Sequence, residues 1–291
     1  MLSVDSKELW IAGEIRAVSR ELQEGKLEYI TRRWWFFLLF IIMQVTTPPY
    51  ASHGYKFPDE WSDVVTKIIS SPIILTYANS HPVLKITFKI IPIILIVSII
   101  IFKNKAARLF NIYVCIAYII FAFGQSVAVT EKYGAAVCTL ILVMFLIVAA
   151  FWAIEAVLVK NNFTPTRQSI WKYWVIVPAV LAFWYPLNPQ TGRPDFNPAY
   201  LFTNAAGLAF CTMTPLYIGL LSLYYPRVNI ATLRVTSLVG LIVGLYNMNQ
   251  NFIVRPEVLW WNGVLHIPLL IISLYGLILS LRTRHHKKDG K

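Results

Sequence analysis

The sequence predicts an all-α, polytopic integral membrane protein of about eight transmembrane helices, and three observations predict it. Hydrophobic residues make up 57% of the 291-residue chain and charged residues only 14%, against roughly 25% charged in soluble domains. The apolar residues fall in runs close to the ~20 helical residues that a bilayer core requires. Between those runs the basic residues alternate from rich to poor, as topology signals do.

Residues 1–33 are expected to form a cytoplasmic amphipathic helix. Ile11, Ile15, Val18 and Leu22 share one face at helical spacing, while Arg16, Arg20, Glu21 and Glu24 lie elsewhere. A helix lying on the inner membrane surface fits this pattern, with Trp34 and Trp35 anchoring its exit into the bilayer. A docking helix for a cytoplasmic partner is the alternative. The first thirty residues are polar and mixed in charge, so no cleavable signal is expected.

An eight-span domain is expected over residues 34–281. Its apolar runs are 34–50, 86–102, 109–129, 134–159, 171–185, 200–225, 230–247 and 259–281, the first and fifth being short for a span. The outer loop 51–85 contains an interfacial or re-entrant segment at 61–76, interrupted by Pro72. The outer loop 186–198 holds four prolines in thirteen residues, which predicts a rigid, extended cap. Residues 282–291 form a basic cytoplasmic tail, where His285 and His286 add charge.

With the N-terminus inside, 19 of the 26 Lys and Arg residues fall on inner segments. The outer side holds only Lys56, Lys67, Lys85, Lys89, Lys132, Arg193 and Arg255. Every inner loop is then basic, which places both termini in the cytoplasm of a cell-membrane protein. The net charge of +12 is spent on these loops and the tail, so a nucleic-acid partner is not expected. The expected partners are the lipid bilayer and, for a complex, other membrane subunits. Cys115, Cys138 and Cys211 all lie in apolar runs, so no disulfide framework is expected.

Polar residues inside membrane helices carry the functional information, because they should not face lipid. Thr236, Gly240, Gly244, Asn247, Asn251 and Arg255 follow one another by three or four residues and form one stripe. Gly240 and Gly244 make a GxxxG pair, which lets a neighbouring backbone approach closely. The sixth run carries Asn204, Gly207, Cys211, Thr214 and Ser222. The eighth carries Asn262, His266, Ser273 and Ser280, and the third Asn111, Cys115, Tyr118 and Gln125. Gln125, Asn204, Asn247, Asn251, Asn262 and His266 all fall toward the outer ends. They predict an outward-facing polar chamber, roofed by 61–76 and 186–198, with Trp260 and Trp261 at its rim and Arg255 at its mouth. The alternative is that these amides bond helix to helix. Glu155 is the acidic residue inside a run, expected to be solvated or paired with Arg108 or Arg167.

No phosphate loop, HExxH, CxxC or paired haem histidines are present, so no cofactor is expected. Asp59, Glu60 and Asp63 form one solvated acidic patch, a weak metal signal. Cys211, Arg255 and His266 form one candidate catalytic set, since a thiol, a base and an oxyanion-stabilising cation suit acyl transfer. In this order they resemble the exosortase and archaeosortase membrane transpeptidases, which are similar in size and span number. On a straight helix Cys211 would lie about 16 Å below its outer start and His266 about 10 Å below its own. A small core cysteine is the other reading of Cys211. The sequence therefore points first to binding of a small solute or lipid-derived group by Gln125, Asn204, Asn247, Asn251, Arg255, Asn262 and His266, as a carrier or binding subunit would. An accessory subunit of a membrane complex and a thiol transpeptidase are the other two readings.

Overall fold

The computed structural model describes residues 25–165 and 169–282. The chain divides into two compact units, Met1–Ile42 and Met43–Lys291. In the first, residues 25–32 are helical, and after Arg33 the apolar helix α1 (Trp34–Thr46) begins. The stripe from Ile11 to Leu22 and the tail beyond Arg282 lie outside the described residues.

The second unit is a helical bundle with a small sheet at one end. Its order is β1 (Tyr50–Ala51), α2 (Trp61–Ser70), α3 (Ile73–Ser80), α4 (Pro82–Phe102), α5 (Asn104–Gln125), β2 (Val127–Thr130), β3 (Gly134–Val137) and α6 (Thr139–Leu158). A 3-10 turn Ile170–Val175 then runs into α7 (Ile176–Trp184), followed by α8 (Tyr200–Thr203), a second 3-10 turn Ala205–Leu208 and α9 (Phe210–Tyr224). Helix α10 (Ile230–Met248) continues as a π-turn, Asn249–Val254, before α11 (Pro256–Arg282).

Among the described residues, five segments are long and apolar enough to cross a membrane: Pro82–Phe102, Asn104–Gln125, Thr139–Leu158, Ile230–Val254 and Pro256–Arg282. A sixth is added if Tyr200–Leu208 and Phe210–Tyr224, bent by 99°, count as one broken span. The expected first and fifth spans form shorter apolar helices, Trp34–Thr46 and Ile170–Trp184. The chain is thus compatible with membrane insertion.

Four expectations are corrected. First, the facing ends of the expected spans 109–129 and 134–159 are not helical: β2 and β3 form an antiparallel hairpin, with Thr130 opposite Gly134, and β1 joins the other edge of β3. The β-branched residues Val127, Val129 and Thr130 favour extension, and Gly134, at φ 64°, closes the turn. The strands are as apolar as the helices that flank them, which hid the change of period. Ala128, Ala136 and Tyr133 of this hairpin pack with Val64 and Ile68 of α2 in a small satellite core.

Second, two charges counted with the loops lie inside helices. Lys89 is fully buried in the middle of α4, and Arg234 is fully buried in the first turns of α10. Neither is a loop charge, so both leave the count of topology signals. Third, Glu155 is fully buried, not solvated. Its carboxylate accepts from the Asn161 amide at 2.7 Å, from Asn229 Nδ2 at 2.7 Å and from Asn111 Nδ2 at 3.3 Å. Arg167 lies outside the described residues. Fourth, loop 186–198 is folded back on itself, with Asn188 N bonded to Arg193 O and Asp195 N to Pro186 O. The Asn188 side chain accepts from the amides of Gln190 and Thr191 and tightens the turn that the prolines alone would have extended.

The acidic patch of α2 is tied to the hairpin. Lys132 Nζ bridges Glu60 at 2.9 Å and Asp63 at 3.2 Å, and Tyr133 donates to Asp63 at 2.7 Å. The Lys56 amide and Lys132 hold Glu60 below the usual carboxylate range; Tyr133 and Lys132 do the same to Asp63.

The glycine pair seats α10 on α11. A Cβ on Gly240 would collide with Ser273, and one on Gly244 would meet Leu270 Cα at 3.2 Å. Close backbone approach is the use that small residues serve between membrane helices.

Candidate functional site

A cavity of about 690 Å³ lies at the sheet-bearing end of the second unit. Its wall includes Gln125, Asn204, Asn247, Asn251, Arg255, Asn262 and His266, and also Cys211. Segment 61–76 contributes Trp61, Val65, Ile69 and Leu75; loop 186–198 contributes Leu187 and Pro189. Leu140, Ile141 and Phe145 of α6 complete an apolar side. Trp260 and Trp261 do not line it. Trp261 Nε1 donates to Pro186 O at 2.8 Å and Trp260 is half-exposed, while Leu259 supplies the wall.

Three interruptions of helix build this wall. Helix α7 stops at Trp184, and Tyr185 adopts a left-handed φ of 53°. The chain then bends sharply around Asn204–Ala209, both ends of that turn being extended. Helix α10 widens into the π-turn that carries Asn251. Irregular backbone at membrane depth is tolerated where it is buried in protein or lines a cavity, and π-turns recur at functional sites.

The amides hold these interruptions together. Asn204 Nδ2 donates to the carbonyls of Trp184 at 2.8 Å and Tyr185 at 3.1 Å, while its oxygen caps Ala206 N at 3.1 Å. Gln125 Oε1 accepts from Phe210 N at 2.9 Å, capping α9 from a neighbouring helix. Asn251 Nδ2 donates to Asn247 O at 2.7 Å, and Asn262 Nδ2 donates to Asn251 Oδ1 at 2.8 Å. The Tyr185 hydroxyl donates to Asn262 Oδ1. Arg255 is exposed at the end of the π-turn. Several amides are therefore both glue and wall, so the two readings of the polar stripes are not exclusive.

His266 Nδ1 lies 2.7 Å from Asn262 O. A carbonyl can only accept, so Nδ1 carries a proton, and in the neutral ring Nε2 then keeps the lone pair. The edge of Tyr185 packs on the same ring, centroids 6.0 Å apart.

The bend changes the depth of Cys211. It is the second residue of α9, in the first turn of a helix that starts inside the bundle. The estimate of 16 Å, made along a straight helix, no longer applies, and Cys211 shares the cavity with His266. Asn247 Nδ2 donates to Cys211 Sγ at 3.5 Å and to Val243 O at 2.9 Å. The thiol is not hydrogen-bonded to His266.

Among the described residues no Asp, Glu or Lys lines the cavity, and Arg255 is the only formal charge in its wall. Among the described residues no three His, Cys, Asp or Glu side chains group as metal ligands. Sequence reasoning passed over Tyr185, which ends an apolar run directly before Pro186. A helix must stop there, and that is the signal for a residue turned out of the helix axis. Comparison with protein-family models, with curated proteins and with solved structures finds no match to this chain.

Proposed function

We propose that the protein is a membrane enzyme that binds a small or lipid-derived group in this chamber and transfers an acyl group through Cys211. The observation that carries the reading is the bend at Asn204–Ala209, which brings the thiol to the start of α9 on the same cavity wall as Arg255 and His266. In this reading His266 Nε2 takes the thiol proton, and the sulfur attacks a carbonyl carbon to form a thioester. The proton passes to the departing amine. An incoming amine or hydroxyl then attacks the thioester, returns its proton through His266 and regenerates the thiol. Arg255 stabilises the oxyanion of each tetrahedral step or draws an anionic group to the mouth. We read the chain as crossing the cell membrane up to eight times, both termini cytoplasmic and the chamber facing out, on the strength of the basic inner loops.

Binding without chemistry, by a carrier or binding subunit, is the second reading. The amide-rich wall favours it. The opposite end of the bundle is closed by the buried Glu155–Asn111–Asn161–Asn229 network, which argues against an open path through the protein. An accessory subunit of a larger complex would keep the network and need no accessible thiol.

The test is alkylation of the purified chain by a membrane-impermeant iodoacetamide probe, with the labelled peptide identified by mass. The enzyme reading expects Cys211 to be the dominant site and labelling to fall about tenfold or more in His266→Gln. Labelling of Cys211 indifferent to His266 would leave the binding reading. An unreactive Cys211 would contradict the enzyme.

A further inference from the structure

Helix α4 is apolar, yet Lys89 is fully buried within it. A cation in such a segment is costly unless it is paired, and it marks function by default. Lys89 Nζ donates to Phe183 O and sits 4.1 Å from the centroid of the Phe183 ring. Phe183 belongs to the last turn of α7, where carbonyls lack intrahelical partners and carry the negative end of the helix dipole. Asn204 satisfies the next two carbonyls, those of Trp184 and Tyr185. Lys89 and Asn204 thus close the end of one half-helix between them. Gly207, in the bent segment, lies directly on the backbone of Phe88 and Lys89, where a Cβ would collide. The two interruptions of helix are therefore fastened to α4 at one point.

Lys89 does not line the cavity. What it holds does. Immediately past the carbonyl it binds, Tyr185 turns out of the helix and bonds Asn262 Oδ1. Asn262 in turn bonds Asn251 and accepts from His266. We propose that Lys89 is a positioning residue for the chamber. By clamping the carbonyl end of α7 it fixes Tyr185, and through Tyr185 it fixes the Asn262–Asn251–His266 network. The inference rests on the reading of the cavity as the functional site.

The experiment uses the full chain with Cys211 as its sole thiol, reconstituted and treated with a membrane-impermeant methanethiosulfonate. Labelling in the otherwise unchanged chain tests the chamber itself; absence of labelling there sinks the chamber reading, and this inference with it. Given labelling, the variants are compared in a His266→Gln background, so that displacement of the histidine cannot offset access; there Tyr185→Ala uncovers the wall beside Cys211 and should speed modification about tenfold, the effect of a lost hydrogen bond and ring contact. Lys89→Met should reproduce that acceleration, and the double variant should be no faster than either single one. Multiplying effects, or an unchanged rate in Lys89→Met, would overturn the proposal, because a separate structural role adds to Tyr185 instead of acting through it. Should Lys89→Met not fold, Lys89→Arg carries the test. It keeps charge and donor, so an unaltered rate is expected, and an acceleration that persists in the Tyr185→Ala background overturns the proposal.

Discussion

Asn262 Nδ2 donates to Asn251 Oδ1 at 2.8 Å, joining the second turn of α11 to the π-turn that ends α10. This bond crosses between two helices at the cavity wall, and Asn251 is buried. Asn251→Leu removes the acceptor and leaves the Asn262 amide and the Asn247 carbonyl short of a partner. A loss of about 1–3 kcal/mol is expected. Thermal unfolding in mild detergent measures it, and an unchanged midpoint would mean that water replaces the bond at no cost.

Gly240→Leu places a side chain where Ser273 stands, with Thr214 Cγ2 also 3.3 Å from the first added carbon. Overpacking of this kind costs about 1–3 kcal/mol. The thermal midpoint should fall, and Gly244→Leu should fall further, because it meets the Leu270 backbone, which cannot rotate away.

The polar stripes and the glycine pair were legible in the sequence because spacing by three or four residues survives a π-turn with little error. The bend at Asn204–Ala209 was not. Alanine, glycine and leucine continue an apolar run equally well as helix or as turn, and what bends the chain is tertiary: Gln125 capping Phe210, and α4 lying against Gly207. The hairpin was hidden for the same reason. The buried state of Glu155 depended on Asn161 and Asn229, brought in from the segments that follow α6 and α9. Asn161 is close in sequence, but nothing in the spacing hinted at Asn229, 74 residues on.

Glu155→Gln keeps the size of the side chain but offers a donor where the Asn161 and Asn229 groups already donate. Hydrogen bonds to a charged acceptor are the stronger kind, about 1.5–3 kcal/mol each. A lower unfolding midpoint is expected, with labelling of Cys211 left near its original rate because the network lies at the far end of the bundle. Loss of labelling in a folded variant would link the two ends and reopen the carrier reading.

Lys132→Met should loosen α2 from the hairpin. The Glu60 and Asp63 carboxyls titrate below their ordinary values because Lys132 and its neighbours favour the charged forms. Such a contribution is fully present above the ordinary carboxylate pKa, about 4, and is lost as pH falls through the lowered values. Hydrogen exchange in residues 61–70 should therefore be faster in the variant at neutral pH, with the difference in opening vanishing in acid. Salt should shrink it too, since Lys132 is exposed and both carboxylates are partly so. A difference that persists in acid would assign the effect to the Lys132 stem and not to its charge.

The account turns on Cys211 as a nucleophile open to the outer side. The most direct measurement is the mass of the Cys211 peptide from the unaltered protein, quenched in acid straight from its own membranes so that an acyl-thiol formed in turnover is kept. The account predicts an added acyl mass on Cys211 that neutral hydroxylamine removes and that Cys211→Ser abolishes. A bare Cys211 peptide, from protein whose Cys211 is readily alkylated by the impermeant probe, would contradict it and leave a binding chamber in its place.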